Sequence, residues 1–431
     1  MEKCDSIRRN LFFEGISQEM NFYFFSFFFD NKVAEEKITQ KYFFFFQKIT
    51  NAHDDESCII FFLDSLNLLV KTHPKTVINL FTQEIIDFIC TFVNYQKTYL
   101  PLFQLLLYLI QSSPIFVVYL LDNHFYELLI QKIDQNSFSI SFYRQTLLLI
   151  SETISRYEVY ISYFYELGLI QRISVMDQTL FIELTLKIYS VCLLSNENQA
   201  NLDVLSLILN YLRFHRENII IDVLTCIKKC LIKYKENSLI WKLLIFNDQI
   251  INLFSINNPK IISHVIDLYS LICNFGDQPI SEIFENNDIS ERIFNPIFLE
   301  NEITSKSFFV FLNSLCRNSS SHNNIFNVYS LFKKLNMQNQ MSLYNFASQT
   351  EISKSILILL SKLNHHQIIE FSSNLSELLH NIVSILILDS DSKQSLVISL
   401  ENIRIILSAT SNNNSQVIED IINEYELFED T

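Results

Sequence analysis

Eight cysteines and nine histidines are the side chains of this 431-residue chain best suited to hold a metal ion or attack a substrate. Their spacing argues for neither. Cys192, Cys230, Cys273 and Cys316 stand 38, 43 and 43 residues apart, and each has a residue four positions earlier (Ile188, Cys226, Tyr269, Leu312) on the same helical face. A slot recurring at that interval is a core position, and free cysteine is among the most buried residue types. Cys226 and Cys230 form C-x-x-x-C, without the C-x-x-C spacing and second ligand pair of a zinc site. The histidines include no H-E-x-x-H, and His365-His366 reads as a solvated turn after a helix end. Glycine occurs only at 15, 168 and 276, which excludes a G-x-S-x-G elbow, a Walker loop and a G-x-G-x-x-G fingerprint. The expectation is a non-enzymatic chain with no cofactor and no metal.

Charge offers the more specific signal. The chain carries a formal charge of -15, which argues against non-specific nucleic-acid binding. Between Arg213 and Lys242, however, the basic residues Arg213, Arg216, Lys228, Lys229, Lys233, Lys235 and Lys242 outnumber Glu217, Asp222 and Glu236. That local +4 leaves -19 on the other 401 residues. Lys229 and Lys233 point away from the apolar stripe Ile220, Leu224, Ile227, Leu231, and Trp241, the single tryptophan, lies just beyond. Lys228, Lys229, Lys233 and Trp241 are therefore candidate contacts for an acidic or phosphorylated segment of another protein. The C-terminal stretch runs the other way. Glu419, Asp420, Glu424, Glu426, Glu429 and Asp430 have no basic residue after Arg404 to offset them, and Val417, Ile418, Ile421, Ile422, Tyr425 and Phe428 share the segment at helical spacing.

The elements that must position these residues are helices. Hydrophobic residues make up 49% of the chain with only 3 Gly and 6 Pro, too few for the turns of a β-sandwich or a doubly wound fold. Nine long apolar segments with a 3.6-residue stripe recur along it. They are residues 61–70, 101–110, 142–151, 181–192, 220–231, 262–273, 307–316, 353–363 and 396–407. Turns before a shorter helix fall near Glu84, His124, Gly168, Asp203, Asp248, Asp288, Asn327, Asn374 and Asn423, a mean period of about 42. Pro74, Pro114 and Pro279 sit at starts of short helices and Pro101 and Pro259 at starts of long ones, where the ring costs least. Thr72, Ser113, Asp277 and Asn258 read as the N-caps of those helices, and Gly168 and Gly276 as helix ends. Apolar runs such as 22–29 and 99–110 are interrupted and shorter than the ~20 residues that span a bilayer. No secretory leader pattern opens the chain, so a cytoplasmic or nuclear location is expected.

A period in the low forties with three helical segments per unit resembles armadillo repeats. The stretch Asn258 to Phe298 carries the likeness best, with L-I-C-N-F-G closing a long helix, a short helix I-S-E-I-F, and an N-D-I turn into the next. Y-E-L-G-L-I-Q-R-I (165–173) is similar to the family's Gly-containing turn, and L-L-S-N-E-N-Q-A-N-L (193–202) to its Asn-rich inter-repeat turn. The resemblance implies a right-handed α-solenoid of about nine three-helix repeats. Residues 58–416 form the array, between a Phe-rich helical cap over 1–57 and an acidic capping helix over 417–431. Family members of the importin-α type read basic peptides through Trp and Asn four residues apart on successive long helices. Here Asn274 and Asn318 sit near the Asn position, but Ser270 and Ser314 occupy the Trp position. The implied function is a protein-interaction scaffold or adaptor that binds a partner segment along a concave groove, with Asn274 and Asn318 among the contacts. A nuclear-transport adaptor and a regulatory subunit of a larger complex are the alternatives.

Overall fold

The structure is a computed structural model that describes residues 39, 42, 43, 46, 47, 49, 50, 55–134, 139–176, 178–195, 201–214, 216–371, 375–389, 393–408 and 414–425. Every regular element among them is helical. Most of the Phe-rich segment 1–57 and the last acidic residues, 426–431, lie outside the described residues. The chain divides into two compact units, Met1–Ser195 and Asn196–Thr431.

In the first unit the helices are α1 (Glu56–Thr72), α2 (Pro74–Ile78), α3 (Gln83–Cys90), α4 (Tyr99–Ser112), α5 (Ile115–Asp122), α6 (Phe125–Asp134), α7 (Ile140–Arg156), α8 (Ile161–Glu166), α9 (Leu169–Val175) and α10 (Gln178–Ser195). The four long ones, α1, α4, α7 and α10, each pack against the next in chain order. Each buries its apolar stripe, Leu63, Leu66 and Leu69 in α1, for example, and Leu102, Leu106 and Leu109 in α4. Polar bonds tie neighbouring long helices together. Asn67 Nδ2 donates to Pro101 O at 2.8 Å, and Gln111 Nε2 to Glu152 Oε1 at 3.2 Å. The turn between α8 and α9 needs a left-handed residue, and Gly168 supplies it at φ 70°.

The second unit contains α11 (Leu202–Leu209), α12 (Glu217–Lys233), α13 (Ser238–Ile245), α14 (Asp248–Asn252), α15 (Pro259–Cys273), α16 (Asp277–Glu285), α17 (Asn287–Ile293), α18 (Glu302–Asn318), α19 (His322–Leu335), α20 (Met337–Gln340), α21 (Phe346–Leu360), α22 (His365–Phe371), α23 (Leu375–Leu386), α24 (Lys393–Ser408) and α25 (Asn414–Glu424). Here α12, α15, α18, α21 and α24 pack consecutively, and the shorter α13, α16 and α19 do the same. Asparagine starts many of these helices, its side-chain oxygen accepting first-turn amides at Asn201, Asn237, Asn258, Asn301 and Asn345. All nine apolar segments fall in long helices, the eighth overrunning the end of α21 by three residues.

Several local expectations are corrected. Thr72 does not cap α2, because its hydroxyl bonds back to Leu68 O within α1 at 2.9 Å. Asp277 is the first residue of α16, and its carboxylate reaches forward to the segment before α19. Asn327 lies inside α19, one unbroken helix where a turn is expected, since no Gly, Pro or cap interrupts N-N-I-F-N-V-Y-S-L. Asn423 falls at the end of α25 and His365-His366 opens α22.

Candidate partner-binding surface on the second unit

The lysine-rich sequence folds into α12, whose Ile219, Ile220, Val223, Leu224, Ile227 and Leu231 are buried on one side. Its start is held by its neighbour. Asn258 Oδ1 caps α15 by accepting from Lys260 N at 3.0 Å and Ile261 N at 3.3 Å, while its Nδ2 donates to Glu217 Oε2 at 2.9 Å. The same arrangement recurs further on, with Asn345 capping α21 and donating to Glu302 Oε1 at 2.9 Å. One side chain thereby starts a helix and sets its position against the preceding long one.

The six candidate residues fall into separate roles. Lys228 turns toward α15, donating to His264 Nδ1 at 3.0 Å and to Asp267 Oδ2 at 3.3 Å. His264 is held below its usual range by burial and by the Lys228 ammonium, against the pull of Asp267. An imidazole nitrogen facing an ammonium must accept, so this histidine is neutral. Lys229 and Lys233 are exposed one step further round α12, with Lys233 Nζ 5.7 Å from the Tyr234 ring centre. Trp241 is only 2% exposed and sits in α13 with Lys242 Nζ 5.5 Å over its ring. A buried indole is part of the core, so Trp241 leaves the set of candidate contacts.

Asn274 and Asn318 bond each other, Asn318 Nδ2 donating to Asn274 Oδ1 at 3.0 Å and to Ser314 O at 2.9 Å. They continue a series along α15 and α18, with Ser263 and Ser307 hydroxyls 2.7 Å apart and Ser270 and Ser314 also 2.7 Å apart. Every pair is 44 residues apart, so the two helices are in one register. Short hydroxyls can meet only if the backbones come close. Ser270 and Ser314 therefore serve the packing of α15 on α18.

A recess of about 230 Å³ opens between the C-terminal parts of α12 and α15, lined by Leu231, Ile232, Lys235, Leu271, Asn274 and Phe275. Ile232 is 63% exposed there. Lys235 and the apolar lining were not among the sequence candidates. Spacing could have found Ile232, which stands at i+4 from Lys228 on α12, whereas Lys235 lies in the turn after Lys233 and carries no periodic mark.

Beyond this face, the segment after α18 is fastened from both sides. Asp277 accepts from Ser320 N and Ser321 N, each at 2.8 Å, from Asn324 Nδ2 at 2.9 Å and from the Ser320 hydroxyl. Lys362 Nζ donates to the carbonyls of Cys316, Arg317 and Ser319 at 2.7 to 2.8 Å, satisfying the C-terminal end of α18. The repeating cysteines are buried where their spacing placed them, Cys230 and Cys273 at 0% exposure. Burial pushes the Cys192 and Cys230 thiols up to about 12. Among the described residues no group of three His, Cys, Asp or Glu side chains could hold a metal ion, and no helix is long and apolar enough to cross a membrane.

No family model matches the chain, and no curated protein matches it in sequence. Sixty solved chains match it in structure. One is an engineered protein whose crystal structure was determined by the Northeast Structural Genomics Consortium, with a TM-score of 0.55 at 10% identity over 81% of this chain and 92% of the other. That likeness concerns the helical fold alone.

Proposed function

We propose that this chain is a divergent armadillo-type α-solenoid, non-enzymatic, that holds a segment of another protein against the exposed face of its long helices. The observation that carries this reading is the recess between α12 and α15. It sets the exposed Ile232 and the half-buried Leu271 and Phe275 beside Lys235, which has no ion-pair partner among the described residues, while Lys228, Ser270 and Ser314 are bonded to protein groups. Two further features support it. Long helices follow one another side by side within each unit, and inter-helix bonds recur at offsets of 41 to 44 residues, as a repeating unit requires. An acidic segment with an apolar residue matches the chemistry of the recess better than a basic one. The nuclear-transport reading has less support, since Ser270 and Ser314 are occupied with each other.

Fluorescence anisotropy with labelled peptides provides the test. Acidic peptides containing one bulky apolar residue should bind the whole chain, and basic peptides should not. Lys235→Glu should weaken binding about tenfold, as loss and reversal of one charge contact would. Equal binding of both peptide classes, or no effect of Lys235→Glu, would refute the proposal.

A further inference from the structure

We infer that the recess between α12 and α15 receives the C-terminal segment of a second copy of this chain. The inference rests on the reading of this face as protein-binding and names its occupant. A recess of about 230 Å³ is smaller than the ~300–1,000 Å³ of small-molecule pockets and suits one bulky side chain. Leu231, Ile232, Leu271 and Phe275 line it together with the exposed Lys235 and Asn274. Asn274 gives its Oδ1 to Asn318 and keeps its amide N–H groups to donate to a peptide carbonyl. Lys229, exposed three residues before Ile232 on α12, has, like Lys235, no ion-pair partner among the described residues, whereas Lys228 is committed to Asp267.

The chain contains a segment of matching chemistry. Residues 424–431 read E-Y-E-L-F-E-D-T, an apolar Leu427-Phe428 pair between Glu426 and the acids Glu429 and Asp430. Helix α25, which precedes it, is held in place by Ile418, Ile421 and Ile422 in the core, by Arg404 Nη1 on Glu419 at 3.0 Å and by His380 Nε2 on Glu424 at 3.1 Å. The segment therefore leaves from a fixed point. From α15 to α24 the path crosses three helix-to-helix steps of roughly 8–10 Å, and α25 lies beyond α24. Phe428 stands four residues after Glu424, an extended reach of at most about 14 Å. The apolar pair falls short of the recess in its own chain, so the recess it fills belongs to another copy. A contact between two different surfaces is heterologous and builds rings or open chains, populated as concentration rises.

Two measurements decide it. In sedimentation velocity at low salt the full chain should shift to larger species from micromolar to hundreds of micromolar. A chain ending at Glu424 and the variant Lys229→Glu/Lys235→Glu should remain monomeric, with far-UV circular dichroism and melting unchanged. In anisotropy a labelled 425–431 peptide should bind the shortened chain, and Phe428→Ala in the peptide should weaken binding about tenfold. A single species at every concentration, association that survives removal of 425–431, or absence of peptide binding each overturns the inference. If other acidic peptides bind through Lys235 while this one does not, the occupant is wrong and the protein-binding reading stands.

Discussion

Asp277 joins two successive helical segments of the second unit through a single carboxylate. Burial pushes that carboxyl up, but bonds from the Ser320 and Asn324 side chains and from the Ser320 and Ser321 amides outweigh it and bring it down to about 2. The folded state therefore prefers the ionised form more than the unfolded chain does, whose aspartates titrate near 3.9. Its stabilising contribution is complete above about pH 4 and is lost as pH falls toward 2. Asp277→Asn should cost about 1–3 kcal/mol at neutral pH, the scale for a hydrogen-bonded charge, and the difference from wild type in urea unfolding should shrink as the medium is acidified. Trp241 supplies a second residue-scale expectation. As the single tryptophan, 2% exposed, it should emit at short wavelength and resist acrylamide quenching until the chain unfolds. Exposed-type emission in the folded protein would contradict its place in the core.

Among the elements, α25 shows the clearest dependence on solvent conditions. His380 Nδ1 faces Ser376 O at 2.8 Å and Nε2 faces Glu424 Oε2 at 3.1 Å, so both ring nitrogens must donate and the ring is the imidazolium. The Ser376 carbonyl raises its pKa most, burial opposes, and Glu424 raises it further. A raised histidine stabilises fully below its unfolded value near 6.5 and loses that contribution as pH climbs through the higher folded value. Amide exchange in 414–425 should therefore quicken, relative to the base-catalysed intrinsic rate, as pH rises from 6 toward 8, and His380→Gln should remove most of the pH dependence. Along α15 and α12 burial separates two isoleucines. Ile266→Ala should cost about 2–5 kcal/mol because Ile266 is wholly buried, and Ile232→Ala within about 0.5 kcal/mol because its side chain is mostly exposed.

At the scale of the molecule, helices that pack mainly on their neighbours in sequence should pass destabilisation only locally. Ile266→Ala should raise amide exchange across 217–318 and leave 56–156 close to wild type by hydrogen-exchange mass spectrometry. Uniform acceleration along the chain would show that the whole protein unfolds as one cooperative body.

The all-helical fold and the places of the long helices were legible in the residues alone. A 3.6-residue apolar stripe needs no distant partner to declare itself, and Cys192, Cys230, Cys273 and Cys316 recur because each long helix presents the same slot to the core. Asn258 as a cap is equally local. The candidate surface was less legible. Whether Lys228, Lys229 or Lys235 meets a partner depends on which faces α15, and a run of lysines carries no mark of that choice. Trp241 and the Ser270–Ser314 pair took their roles from burial and from a register of 44 residues between α15 and α18. Asp277 gave up its expected cap because amides from a segment 43 residues away reach its carboxylate. The sequence by itself determined the helices and their apolar faces, since these follow from spacing within one turn. Only the tertiary structure decided which polar residues face one another and which remain open to a partner, because that depends on how neighbouring helices align.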